Sequence, residues 1–221
     1  MLSLKKISQV TGKFLLGVII IPLNNLTPEW KETSFAKIKP NKFSFSNEGL
    51  LIEVNQSSSP LFYNFGRDIQ ASGILVQGWL TDLPEINRLK EGIGENDDFS
   101  FRLGFIETDD NAPSWTERLF MADWVTDLLS YLPQKGLKKI RFFTISQCKN
   151  PGTFRIHPQN KLIEETVVLK KEQPGKFKIE YHLKDSIPAR AIWIQPDGDG
   201  SKSRFQLNIQ QLEIQTEDKN N

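Results

Sequence analysis

The sequence is poor in the residues that build disulfide frameworks and zinc sites. Its 221 residues include one cysteine and two histidines. A single thiol, Cys148, cannot form an internal disulfide, so cysteine usage gives no information about the redox compartment. His157 and His182 do not stand at a zinc-ligand spacing from each other or from Cys148, so the sequence contains no recognisable zinc motif.

An excess of charge of one sign is also lacking. The chain has 28 basic and 27 acidic residues, which give a net charge of +1. Binding of nucleic acid usually needs clustered Lys and Arg. The densest basic segment, residues 135–141, is interpreted as a solvated turn that enters a strand, with a phosphate site as the alternative. We therefore predict that nucleic acid is not a partner.

Common catalytic motifs are missing. The sequence has no G-x-S-x-G nucleophile elbow, no P-loop and no G-x-G-x-x-G segment. A jelly-roll lyase would need residue types such as those of His182, Tyr181, Arg102 and Gln77. Tyr181 and His182 are sequence neighbours, however, so in a strand their side chains would point to opposite faces. We assign no catalytic residue and favour a non-catalytic protein, while the enzyme alternative stays open.

Long hydrophobic runs are absent as well. The longest, FLLGVIII at residues 14–21, is shorter than the roughly 20 residues that span a bilayer. It follows a segment, residues 1–13, that carries three lysines and no acid, and this order is typical of a secretory signal. We predict that residues 1–25 are a signal peptide or N-terminal anchor, and that the protein is periplasmic or secreted. The alternative is a buried first strand of the domain.

What the sequence does contain is a series of strand-like runs. Residues 26–41 are predicted to be a connector, residues 42–215 a single β domain, and residues 216–221 a disordered tail. In FSFRLGFIE, residues 99–107, apolar and other residues alternate with the period of a half-buried strand. Near the end of the domain the alternation slips at Gln210-Gln211, which indicates a β-bulge.

These runs and the turn signals between them define the predicted fold class. It is mainly β, an antiparallel β-sandwich of jelly-roll type. The ten runs are residues 43–46, 50–54, 61–65, 73–80, 99–107, 140–146, 165–171, 176–183, 191–195 and 204–215.

One segment breaks the β pattern. Ser114 and Glu117 have the spacing of a capping box, and Pro133 ends the pattern that follows. Between them apolar residues recur at helical intervals, including Trp124 and Leu128. The pattern predicts one amphipathic helix around residues 114–132, packed on the sandwich.

The acidic loop PDGDGS is the candidate metal site. Asp197 and Asp199 stand two residues apart on a glycine-rich turn, where two carboxylates can converge on a hard cation such as Ca²⁺. Calcium takes six to eight oxygens, so further ligands would have to come from elsewhere. The acids considered for this role are Asp97, Asp98, Asp109 and Asp110. The alternative is a hairpin loop that uses Asp and Gly for their turn conformations.

Aromatic residues suggest a surface for stacking sugars. Trp79 and Trp115 border polar loops, and with Arg102 they are the predicted ligand-binding residues. Trp124 and Trp193 have apolar neighbours and are interpreted as core residues. Core packing is also the alternative for Trp79 and Trp115.

Three motifs occur in a characteristic order. They are Trp79 in GILVQGWL, Asp97-Asp98 with Arg102 in NDDFSFRLGF, and Asp197 and Asp199 in AIWIQPDGDGSKS. In this order the segments resemble a family of exported bacterial proteins that is known only as a domain of unknown function. The resemblance implies export and a jelly-roll-like sandwich similar to carbohydrate-binding modules, and it implies no known reaction.

The sequence therefore predicts an exported, non-catalytic β-sandwich that binds a polysaccharide or another cell-envelope component. A structural calcium at the acidic loop is the one cofactor considered. The first alternative is a polysaccharide lyase or glycoside hydrolase, which predicts acids with shifted pKa values clustered around His182. The second is a periplasmic protein-interaction domain, which predicts an exposed apolar patch.

Overall fold

The computed structural model describes residues 15–111, 123–132, 135–158 and 160–218. They form eleven strands in one mixed sheet, with a single α-helix, α1 (Asp123–Ser130). No helix in these ranges is long and apolar enough to cross a membrane. The strands are β1 (Leu15–Ile20), β2 (Trp30–Glu32), β3 (Lys42–Ser46), β4 (Gly49–Asn55), β5 (Leu61–Leu80), β6 (Arg102–Asp109), β7 (Gly136–Ser146), β8 (Phe154–Ile156), β9 (Ile163–Lys170), β10 (Gly175–Ile194) and β11 (Arg204–Asp218).

Two 20-residue strands, β5 and β10, run through the whole sheet. The strand order is β3-β4-β11-β5-β10-β6-β7-β9-β8, with β1 beside β11 and β2 beside β5. β11 pairs with the second half of β5, whereas β2 pairs with its first three residues. β6 pairs only with the last four residues of β10. The sheet therefore has two layers, which β5 and β10 connect.

The two layers pack face to face around the main core. The ring centroids of Phe101 and Phe177 lie 5.9 Å apart, and those of Phe143 and Tyr181 lie 5.5 Å apart. β7 and β10 are not neighbours in the strand order, and Phe177 lies in the part of β10 that does not pair with β6, so these contacts cross from one layer to the other. The predicted mainly β sandwich is confirmed. Its sheet is mixed, because β7 and β9 are parallel.

A second core lies on the outer face of one layer. Leu61 and Ile192 face the main core, while their neighbours Phe62 and Trp193 face outward, as the period of two requires. Helix α1 covers this outer face, so the strands here are buried on both sides. The members of the second core are Phe62, Ile106, Leu128, Leu132, Ile140, Phe142, Ala191 and Trp193.

The predicted helix is present but only part of it is described. Within the described residues it extends from Asp123 to Ser130. The proposed capping pair, Ser114 and Glu117, lies outside the described residues, as does Trp115.

Four of the strands that the sequence predicts as short and separate are joined in the structure into two long strands, β5 and β10. Residues 61–65 and 73–80 both belong to β5, and residues 176–183 and 191–195 belong mostly to β10. The polar segments between them pair with each other across a register shift after His182. Their polarity thus indicates a bend in a strand rather than a turn. The bulge predicted at Gln210-Gln211 is confirmed by a register shift against β5.

The N-terminal segment contributes to the sandwich from residue 15 onward. β1 pairs with residues 213–218 of β11, and the side chains that follow, Ile21 and Leu23, are buried in the main core. The predicted connector contains β2, whose Trp30 is buried and donates a 2.9 Å hydrogen bond to the Pro22 carbonyl. Cleavage of residues 1–25 stays a prediction.

Candidate functional site

A cleft of about 300 Å³ opens on the outer face of the layer that contains β6 and β10. We call it the aromatic–acidic cleft, and we call its apolar lining residues the aromatic wall and its polar lining residues the polar wall. Its apolar lining residues are Phe35, Ile38, Trp124, Phe142, Ile163 and Trp193. Its polar lining residues are Ser58, Asp97, Arg102, His157, Glu165, Gln195, Asp197 and Asp199.

Alternation along the strands places these side chains together. Trp193 and Gln195 are two residues apart, so both point to the outer face. The Gln195 backbone N–H donates to the Arg102 carbonyl at 3.0 Å, which sets the end of β10 beside the start of β6. Glu165 reaches the same face from β9.

The guanidinium of Arg102 is buried among carboxylates. Its Nη2 lies 3.1 Å from Asp97 Oδ1 and 3.6 Å from Glu165 Oε1, and its Nη1 lies 3.6 Å from Asp197 Oδ2. The Phe99 ring lies against it, with 4.4 Å between the ring centroid and Cζ. Burial lowers the pKa of Arg102, but the charges of Glu165, Asp97 and Asp197 outweigh this effect and raise it. Arg102 is therefore charged in the folded protein.

Asp97 connects Arg102 to two further basic groups. Its Oδ1 accepts a 2.6 Å hydrogen bond from Arg155 Nη2, and its Oδ2 lies 2.9 Å from His157 Nε2. Burial raises the pKa of Asp97, but the hydrogen bond with His157 and the charges of Arg102 and Arg155 hold that pKa well below its usual range. Arg155 also pairs with Glu165. Two guanidiniums thus balance two carboxylates.

Three aspartates form a second group at the acidic end of the cleft. Asp98, Asp197 and Asp199 each offer one carboxylate oxygen, and the three oxygens lie within 4.8 Å of one another. Burial, the adjoining Asp199 carboxylate and the charge of Asp98 raise the pKa of Asp197 well above its usual value, although Arg102 opposes them. Such a group can hold a proton or a hard cation.

The structure brings together most of the acidic residues that the sequence singled out. Asp98 joins Asp197 and Asp199 in the cluster. Asp97 is instead engaged with Arg102, Arg155 and His157. The other two acids considered as ligands lie elsewhere, since Asp109 ends β6 and Asp110 pairs with Lys135 at 2.5 Å.

The three predicted ligand-binding residues have different positions. Arg102 lies at the centre of the cleft. Trp79 is half-buried on β5, opposite Lys176 and Asn208, and does not line the cleft. Trp115 lies outside the described residues.

The lyase-type cluster suggested by residue types is not assembled. Tyr181 packs against the main core beside Phe143, and His182 is exposed on β10. Asp97 and Asp197, the two acids of the cleft whose pKa values are shifted, share its lining with His157 and not with His182. The enzyme alternative would therefore need other residues than those proposed from the sequence.

Sequence reasoning missed Glu165 and His157. Arg155 and His157 are two residues apart, and both reach the carboxylate of Asp97. That Arg-x-His spacing was the available signal. Glu165 reaches Arg102 because β9 is parallel to β7, a non-local pairing that no local pattern indicates.

An exposed apolar patch, the feature predicted for a protein-interaction domain, lies at the edge strand β8. Phe154 and Ile156 there are 56% and 53% exposed. Edge strands offer unpaired backbone groups to other chains. The patch does not overlap the lining of the aromatic–acidic cleft.

No protein-family model and no curated protein matches the chain, so membership of the exported family named above finds no support. Among solved structures, the xylan-binding module CBM15 matches with a TM-score of 0.39 and 8% identity, over 90% of this chain and 96% of that one. A mutant of the family 29 carbohydrate-binding module CBM29-2 matches with a TM-score of 0.37 and 8% identity, over 92% of each chain. Both of these solved structures are carbohydrate-binding modules.

Proposed function

We propose that the protein binds a neutral polysaccharide in the aromatic–acidic cleft and does not cleave it. The observation that carries this proposal is the pairing of an apolar aromatic wall with a wall of carboxylates in one cleft. Its volume, about 300 Å³, lies at the lower end of the range for small-molecule sites, so it suits a short stretch of a sugar chain.

The aromatic wall offers a stacking surface. Trp124 is half-buried, and its ring centroid lies 5.3 Å from that of Trp193. Phe62 and Phe142 in turn contact Trp193 edge-on, with centroids 5.0 Å and 5.3 Å away. Trp124 therefore lies beside a fixed group of aromatic rings. Because its side chain is already held in place, it loses little conformational entropy when a flat apolar sugar face packs on it.

The polar wall favours hydroxyl groups over anions. The half-buried polar residues that line the cleft include Asp97 and Asp199, whose carboxylates accept hydrogen bonds from sugar hydroxyls. Among the described residues that line the cleft, one is an arginine, Arg102, and four are acids: Asp97, Glu165, Asp197 and Asp199. A polysaccharide of uronic acids would place like charges together, which costs several kcal/mol.

Replacing Trp124 with alanine is expected to weaken binding of the preferred neutral polysaccharide by about tenfold or more, because the stacking surface is lost. Trp79→Ala is the matched control, since it removes a half-buried tryptophan outside the cleft. Affinity electrophoresis of the full chain with xylan, mannan, mixed-linkage glucan and polygalacturonate measures the effect. Thermal unfolding of both variants confirms that each is folded.

The proposal fails if no neutral polysaccharide retards the protein, if both tryptophan variants lose binding equally, or if polygalacturonate is preferred. A parallel assay for released reducing or unsaturated ends tests the alternative of a glycoside hydrolase or lyase. That alternative has one observation in its favour: the pKa values of Asp97 and Asp197 are shifted in opposite directions, as in acid–base pairs. Release of product would support it over binding alone. Export, tested by cell fractionation, completes the proposal.

A further inference from the structure

Carboxylates outnumber cationic groups around the acidic end of the cleft. Two of the acids are matched by two guanidiniums in the network around Arg102. With all five ionised, the group carries a surplus of three negative charges. The five acids are Asp97, Asp98, Glu165, Asp197 and Asp199, and the two guanidiniums are those of Arg102 and Arg155; His157 also contacts Asp97.

One oxygen of the aspartate cluster has no hydrogen-bond partner. Asp197 is 7% exposed, and its Oδ2 accepts from Gln195 Nε2 at 3.1 Å and lies near Arg102. Its Oδ1 is buried and makes no hydrogen bond with the described part of the chain. Buried carboxylate oxygens are normally satisfied, so an unpartnered one inside an acidic cluster indicates a ligand that carries positive charge.

The spacing of the cluster suits a calcium ion. Ca²⁺ lies about 2.3–2.6 Å from each of its oxygen ligands, so two oxygens on opposite sides of the ion are about 5 Å apart. The three aspartate oxygens lie within 4.8 Å of one another. All three donors are carboxylates, which are ligands that hard cations prefer.

We propose that Asp98, Asp197 and Asp199 bind one Ca²⁺ ion, which joins the loop between β10 and β11 to the segment before β6. Asp98 already accepts a 2.6 Å hydrogen bond from the Ser201 backbone N–H across this junction. The loop packs so closely that a Cβ at Gly200 would lie 2.8 Å from the Glu95 carbonyl oxygen. Asp197 and Asp199 also line the aromatic–acidic cleft, but the binding of the ion does not depend on the binding of a sugar.

Calorimetric titration of the chelator-treated full chain with CaCl₂ is expected to show saturable binding of one ion per chain. Saturating calcium should raise the midpoint of thermal unfolding by about 5 °C or more, because the ion binds only the folded state. Asp199→Asn should weaken calcium binding by about tenfold or more, since affinity follows the charge of the ligands. Asp110→Asn, which alters an exposed acid paired with Lys135, should bind calcium as the original chain does.

The proposal is overturned if calcium shows no saturable binding up to about 10 mM, above the range of weak extracellular sites. It is also overturned if Asp199→Asn keeps the original affinity, or if Mg²⁺ binds as tightly as Ca²⁺. Circular dichroism of the variant shows whether it is folded. No sugar is present in these titrations, so their result is separate from that of the polysaccharide assay.

Discussion

Replacing Arg102 with methionine is expected to lower the midpoint of thermal unfolding by about 6–20 °C. Methionine is also a long side chain but leaves Asp97, Glu165 and Asp197 without the cation at their centre. Removing one partner of a buried ion network costs about 3–5 kcal/mol. In a domain of this size each kcal/mol corresponds to about 2–4 °C. Differential scanning calorimetry at neutral pH measures the shift.

Two further variants give this result its meaning. Arg67→Met makes the same chemical change at an exposed position of β5 and should alter the stability by less than about 0.5 kcal/mol. Arg102→Lys keeps the charge but loses the forked geometry that reaches several carboxylates, so its stability should be intermediate. If Arg102→Met were as stable as the original chain, the network would not support the structure around the cleft.

A chain that begins at residue 26 is expected to unfold at least about 10 °C below the full chain. It lacks β1, the buried side chains of Ile21 and Leu23, and the carbonyl that accepts the Trp30 hydrogen bond. Burial of an Ile or Leu side chain contributes about 1.5–3 kcal/mol, so the two together contribute about 3–6 kcal/mol. Thermal unfolding followed by circular dichroism measures the difference.

A chain that begins at residue 15 is the matched control for this truncation. It keeps β1 and both buried side chains, and it should unfold within about 2 °C of the full chain. Equal stability of the chain from residue 26 would contradict the expectation. That outcome would agree instead with the prediction that residues 1–25 are a signal segment dispensable to the domain.

The sequence predicted the local β structure well because side-chain alternation records which face of a strand is buried. Phe99, Phe101, Leu103 and Phe105 are all buried, as their period of two indicated. The same pattern did not indicate that Arg102, on the opposite face, is buried too. Burial of that face depends on other parts of the chain that cover it, and no local pattern reports such coverage.

The site was only partly predictable for the same reason. The acidic loop and Arg102 were identified from their residue types, and the structure places them in one cleft. Trp193, which the sequence places in the core, is buried. It also points to the outer face of its layer, where it forms part of the lining of the cleft. The association of Glu165 with Arg102 arises from the parallel β7–β9 pairing, which is a long-range property of the topology.

The position of β11 has a consequence for biosynthesis. This final strand lies between β4 and β5, which follow each other in the chain but are not hydrogen-bonded neighbours. Until its residues leave the ribosome, β4 and β5 both present unpaired backbone groups to solvent. Completion of this layer therefore waits for β11, and until β11 is made chaperones can bind the exposed edges of β4 and β5.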